Sequence, residues 1–156
     1  MFSERDNPCG RARHPEVTGT SAVVTESGTN GDLYYWYNPG GDTSWHARQA
    51  VAAGSGDLYY EEPSLAITGN SVVISAASTD GVLYYSYEPF GTSAWHQHLV
   101  YAAGDFEEQG ASIGVTSSLT MIAGLDNTDT PGDVDYFSQP FGSGTWDIEG
   151  IDGGCC

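Results

Sequence analysis

Two tryptophan–histidine pairs, Trp45-His46 and Trp95-His96, stand fifty residues apart, and each runs on to Ala-Ala-Gly. An imidazole offers three chemistries: proton transfer, metal ligation and hydrogen bonding to a polar ligand. Proton transfer in catalysis needs a partner. His46, His96 and His98 have no nearby Cys and no framed Ser that would suggest an activated nucleophile. Neither a Gly-x-Ser-x-Gly elbow nor a His-Glu-x-x-His pair occurs. Metal ligation needs more donors. His96-Gln97-His98 places two imidazoles on one strand face, but two ligands alone do not make a site. Hydrogen bonding beside an aromatic ring points to sugars, whose C–H faces stack on Tyr or Trp and whose hydroxyls pair with His, Asp, Asn or Arg. The candidates are Trp36, Tyr37, Trp45 and His46, their equivalents Tyr87, Trp95 and His96, and His98. The chain is expected to bind glycans rather than to be an enzyme.

Two other groups of residues bear on chemistry. The stretch LDNTDTPGDVD carries Asp126, Asn127, Asp129, Asp133 and Asp135, hard oxygen donors of the kind Ca²⁺ prefers. Its spacing differs from the twelve-residue calcium loop, and Asx-rich turns form without metal. No cofactor is therefore required, and Ca²⁺ is the metal these residues would take. The three cysteines, Cys9, Cys155 and Cys156, sit at the extremes of the chain. One reading is a bridge from Cys9 to one of the C-terminal pair, leaving a thiol for another chain. The other is free thiols on the tails.

The elements that must position these residues repeat. Residues 18–54 and 68–104, aligned at an offset of 50 without a gap, share 17 of 37 positions, which marks an internal repeat. A third, more divergent copy matches GVLYYSYEPFGTSAW (81–95) with GDVDYFSQPFGSGTW (132–146). Each copy reads as four short strands; in the middle one they are SLAIT, SVVISAAS, VLYYSYEP and WHQHLV. Turn chemistry separates them: Thr-Gly-Asn, then Asp80-Gly81, then Pro-Phe-Gly-Thr. Asp80-Gly81 and Asn30-Gly31 signal tight hairpins. The chain divides into a tail (1–13), one domain (14–152, with repeats of about 14–57, 58–105 and 106–152) and a cysteine tail (153–156).

The fold class is all-β: three four-stranded antiparallel repeats of about fifty residues, read as β-propeller blades. Three blades are fewer than the four to eight of a closed ring, so a partial propeller would be completed by self-association through open edge strands. The alternative is a β-trefoil, which also has three four-stranded repeats. The stretch PSLAITGNSVVISAASTDGVLYYSYEPFGTSAWH (Pro63–His96) resembles tandem repeats of bacterial β-propeller lectins and is similar to the seven-bladed fucose-binding propeller lectins. The resemblance covers roughly residues 15–152. It implies a multivalent, secreted carbohydrate-binding module.

Strand periodicity sorts the faces. Leu83, Tyr85 and Tyr87 share one side of the third strand, as do Leu33, Tyr35 and Tyr37, which suggests packing between blades. The other side varies: Tyr34 and Trp36, Tyr84 and Ser86, Asp135 and Phe137. Trp45, Trp95 and Trp146 recur at one position and read as wedges between sheets. After them come polar rows: His46 and Arg48, His96 and His98, Asp147 and Glu149.

Charge narrows the partners. There are 21 acidic residues against four Arg and no Lys, a net charge of −17. Such a surface repels phosphate backbones, so nucleic acid is not expected. No run approaches the roughly 20 apolar residues of a membrane span, and no signal peptide is visible. The expected partners are glycans and other copies of the chain. The runner-up function is a structural, self-assembling repeat protein that forms an oligomer or filament.

Overall fold

The computed structural model describes residues 9–18, 21–38, 43–51, 60–89, 92–102, 111–126 and 133–151. Among these residues twelve strands form three four-stranded antiparallel sheets. The first sheet holds β1 (Cys9–Thr18), β2 (Ser21–Gly28), β3 (Leu33–Asn38) and β4 (His46–Val51). The middle sheet holds β5 (Tyr60–Ile67), β6 (Ser71–Ser78), β7 (Leu83–Pro89) and β8 (His96–Tyr101). The third holds β9 (Ser112–Val115), β10 (Leu119–Asp126), β11 (Asp133–Pro140) and β12 (Asp147–Ile151). Strands pair in chain order within each sheet. No sheet among the described strands joins two repeats, so no barrel is closed.

Two boundaries differ from the sequence reading. β1 starts at Cys9, so its first residues fall in the segment set apart as a tail. β5 starts at Tyr60, ahead of Pro63-Ser64. Its register with β6 shifts between Glu61 and Ser64, and this irregularity admits a proline, which has no N–H for the ladder. The Asn30-Gly31 and Asp80-Gly81 hairpins also close differently from a two-residue primed turn. Gly31 N donates to Gly28 O (2.9 Å) and Gly81 N to Ser78 O (2.8 Å). Only then does the glycine take the left-handed conformation, with φ of 80° and 76°. That is a three-residue loop ending in a left-handed Gly.

The sheets stack face to face with the middle one between the others. β6 shows the consequence, since every residue of it is buried. Val72, Ile74 and Ala76 pack with Val23, Leu33 and Tyr35 of the first sheet. Val73 and Ala77, with Leu83 and Tyr85, pack on Ala111, Ile122 and Phe137 of the third. Contacts between neighbouring sheets run mainly through their first two strands: β1 and β2 meet β5, and β5 and β6 meet β9. Ser75 Oγ donates to Ala111 O (3.0 Å) across the second interface, and Ile113 N to Ser64 Oγ (3.2 Å).

Tyr35 and Tyr85 occupy the same position in successive interfaces. The Tyr35 hydroxyl donates to Glu88 Oε2 at 2.8 Å. Burial, then the Glu88 carboxylate, hold its phenol well above the ordinary value of 10.0. Burial pushes Tyr85 up to about 12. The Thr120 hydroxyl beside it counteracts this in part, although the two oxygens do not meet hydrogen-bond geometry. Below pH 10 both folded and unfolded chains hold these protons, and stability is at its full value. Above it the unfolded chain releases protons that the fold retains, so stability falls as pH rises through 10 towards 12. Urea midpoints measured at pH 8, 9, 10.5 and 11.5 should be level across the first two values and decline at each later step; a midpoint flat to pH 11.5 would contradict the burial of these phenols.

Candidate functional site

Adjacent residues of a strand point to opposite faces, and this splits each Trp-His pair. Trp95 turns back onto the first sheet, its ring 5.5 Å from that of Tyr35 at 64°. His96 turns the other way and stacks on Tyr87 at 4.9 Å and 23°. The third sheet repeats the first half of this arrangement, with Trp146 at 5.5 Å and 78° from Tyr85. The tryptophan thus closes the seam behind its sheet, and the histidine flanks the seam ahead of it.

The seam between the first and middle sheets opens at Tyr37. His46, its partner in register, stacks on it at 5.1 Å. The Arg48 guanidinium carbon lies 5.9 Å from the same ring centroid. Contact with the Tyr37 hydroxyl is the main reason that the Arg48 pKa is raised. His46 and Arg48 are exposed, while Trp95 closes the inner end through Tyr35, itself stacked 6.0 Å from Tyr37.

The second seam repeats this with changes. Tyr87 meets His96, and His98 lies parallel to it at 5.9 Å and 3°. Phe141 adds a wall, 5.8 Å from Tyr87. The turn that carries Phe141 is well tied: Phe141 N donates to Ser118 O (3.0 Å), Ser143 N to Pro140 O (3.0 Å) and Gly144 N to Gln139 Oε1 (2.8 Å). Gly144 has φ of +74°, which favours glycine for its backbone, and a Cβ there would lie in ordinary contact with His98 Nδ1 at 3.8 Å, so the turn runs beside the histidine. Each cleft therefore offers a tyrosine with two exposed or half-exposed nitrogen side chains beside it and a tryptophan at its base. Such groups can stack on an apolar ring face and hydrogen-bond to hydroxyls at its rim. The corresponding strand positions of the third sheet are Ser138, Asp147 and Glu149, which supply no ring.

Of the residues singled out in the sequence, the structure brings Tyr37 and His46 together in one cleft with Trp95 at its base. It places Tyr87, His96 and His98 in the other. Trp36 and Trp45 lie elsewhere. Trp36 is opposite Val24 and Ala47 in register, on the face of the first sheet turned away from Tyr37, and Trp45 is 42% exposed. Arg48, Phe141 and Trp146 join the clefts without having been candidates. Their signals were the repeated polar row, the recurrent Pro-Phe-Gly turn and the third Trp. Asp126 and Asp133 are partners in register where β10 ends and β11 begins, Asp135 lies two residues further along, and Asn127 and Asp129 are outside the described residues. No group of three possible ligands for a metal occurs among the described residues. Cys9 opens β1, whereas Cys155 and Cys156 are outside the described residues. No protein-family model matches the chain, and no curated protein does.

Proposed function

We propose that this chain is a non-catalytic, multivalent saccharide-binding protein whose sheets are arranged as propeller blades. The observation that carries the binding role is the repeated cleft: Tyr37 with His46 and Arg48, and Tyr87 with His96 and His98. The two are related by the internal repeat yet differ at one polar position, as two sites of one kind with slightly different ligand preference would. Face-to-face stacking of four-stranded meanders through their first strands supports the blade arrangement. Two weak sites on one body raise affinity for a branched or clustered glycan through avidity.

The test is substitution at exposed positions, where folding is least disturbed. His46→Ala with His96→Ala, made together, should weaken binding to an immobilised glycan at least tenfold, about 1.4 kcal/mol. Each single change should weaken it less, because one cleft survives. Trp36→Ala should leave it unchanged. A double variant that binds as the parent chain does would remove the clefts from consideration.

A further inference from the structure

The two outer faces of the stack are the separated halves of an interface that the chain makes twice within itself. In both internal seams a tryptophan from the following sheet packs edge-on against a tyrosine of the preceding one, Trp95 on Tyr35 and Trp146 on Tyr85. One tryptophan and one tyrosine of the series are left over. Among the described residues no sheet packs on the Trp45 face of the first sheet, and Trp45 is 42% exposed, although Trp95 and Trp146 are packed against core clusters. Tyr136 of the third sheet, the equivalent of Tyr35 and Tyr85, is half-buried where those are 6% and 0% exposed.

The surroundings of the leftover pair follow the same pattern. Beside Tyr136, Val134 and Met121 are partly exposed, while their counterparts Leu83 and Val73 are fully buried. Around Trp45, Val24 and Trp36 are partly exposed where the corresponding Ile74 and Ser86 are 1% exposed. Even the polar position is kept: Glu88 receives Tyr35, Gln139 is its counterpart on the third sheet, and Asn38 is the counterpart on the first.

We infer that the first sheet's outer face packs on the third sheet's outer face of a second copy of this chain, with Trp45 against the partner copy's equivalent of Tyr136. The contact is face to face and head to tail, not the edge-to-edge pairing that open strands suggest. Closed propellers have about four to eight blades, and six is the multiple of three in that range, so two copies complete the ring through two identical contacts. The inference is independent of the saccharide reading: a chain that dimerises but binds no glycan keeps this contact and loses that function.

Sedimentation velocity on the full chain at tens of micromolar tests it. The parent should sediment as a discrete species of twice 16.5 kDa. Trp45→Asp and Tyr136→Asp should each sediment as monomers, with Trp36→Asp and Met121→Asp as second variants of the same faces should either first choice lose its β-sheet circular dichroism. An equimolar mixture of a first-face and a third-face variant should recover dimer, because one of its two contacts is then of parental type. A monomeric parent, an open-ended polymer, a dimer that survives either substitution, or a mixture of folded variants that stays monomeric would overturn the proposal.

Discussion

Replacing Tyr85 with alanine should destabilise the fold by about 3–5 kcal/mol, the largest loss expected from a single side chain here. Tyr85 is 0% exposed and lies at the centre of the second interface, among Val73, Leu83, Ile122 and Phe137. It also supports Trp146 and stands 6.0 Å from His98. The cavity would open between two sheets that no backbone ladder joins, so little but side-chain packing resists their separation. Against a total of roughly 5–15 kcal/mol for a domain, the variant should be partly unfolded at room temperature, or its third sheet should come away first. Hydrogen exchange would separate these outcomes, with early loss of protection in β10 and β11. A urea midpoint within experimental error of the parent would show that the second interface is not held by this ring.

The second large effect is a contrast. Tyr35→Phe should cost about 1.5–3 kcal/mol, the range for a hydrogen bond to a charged group, because it strips the donor from a Glu88 that is 8% exposed. Tyr85→Phe, at the equivalent position, should be near neutral or slightly stabilising. The Tyr85 hydroxyl is buried with no completed hydrogen bond, and so are Thr120 Oγ1, Gln139 Nε2 and Trp146 Nε1 in the same interface. Removing a polar atom that is already unsatisfied relieves a desolvation penalty. Matched urea titrations of the two variants measure the difference directly. Equal losses in both would mean that the Tyr35–Glu88 bond does not distinguish the two seams.

The repeat was legible because Gly, Pro and Asp mark its turns and aromatic residues mark its third and fourth strands. The extent of β6 follows from its uninterrupted apolar and small residues, which suit a strand covered on both faces. What the sequence could not supply is neighbours. Trp45 and Trp95 occupy equivalent places in the repeat, each followed by His, and a preceding sheet partly buries Trp95 while Trp45 is exposed. Alternation already implied that the members of a Trp-His pair face opposite ways. Strand register sets His96 beside Tyr87 and alternation sets Trp36 on the face opposite Tyr37; which sheet lies on which side then decided that Phe141 of the third sheet meets Tyr87. Phe141 was hidden for the same reason, because its turn reaches a histidine of another repeat. The early start of β5 was masked by Pro63, which reads as a boundary until an irregular register accommodates it.

The measurement that bears most directly on the proposed role is a screen of the full chain on a broad glycan array, with the His46→Ala, His96→Ala double variant run beside it. The parent should bind a defined set of saccharides, and the double variant should lose them while keeping its β-sheet circular dichroism. A parent that binds none across the array, or a double variant with an unchanged binding pattern, would contradict the proposed role.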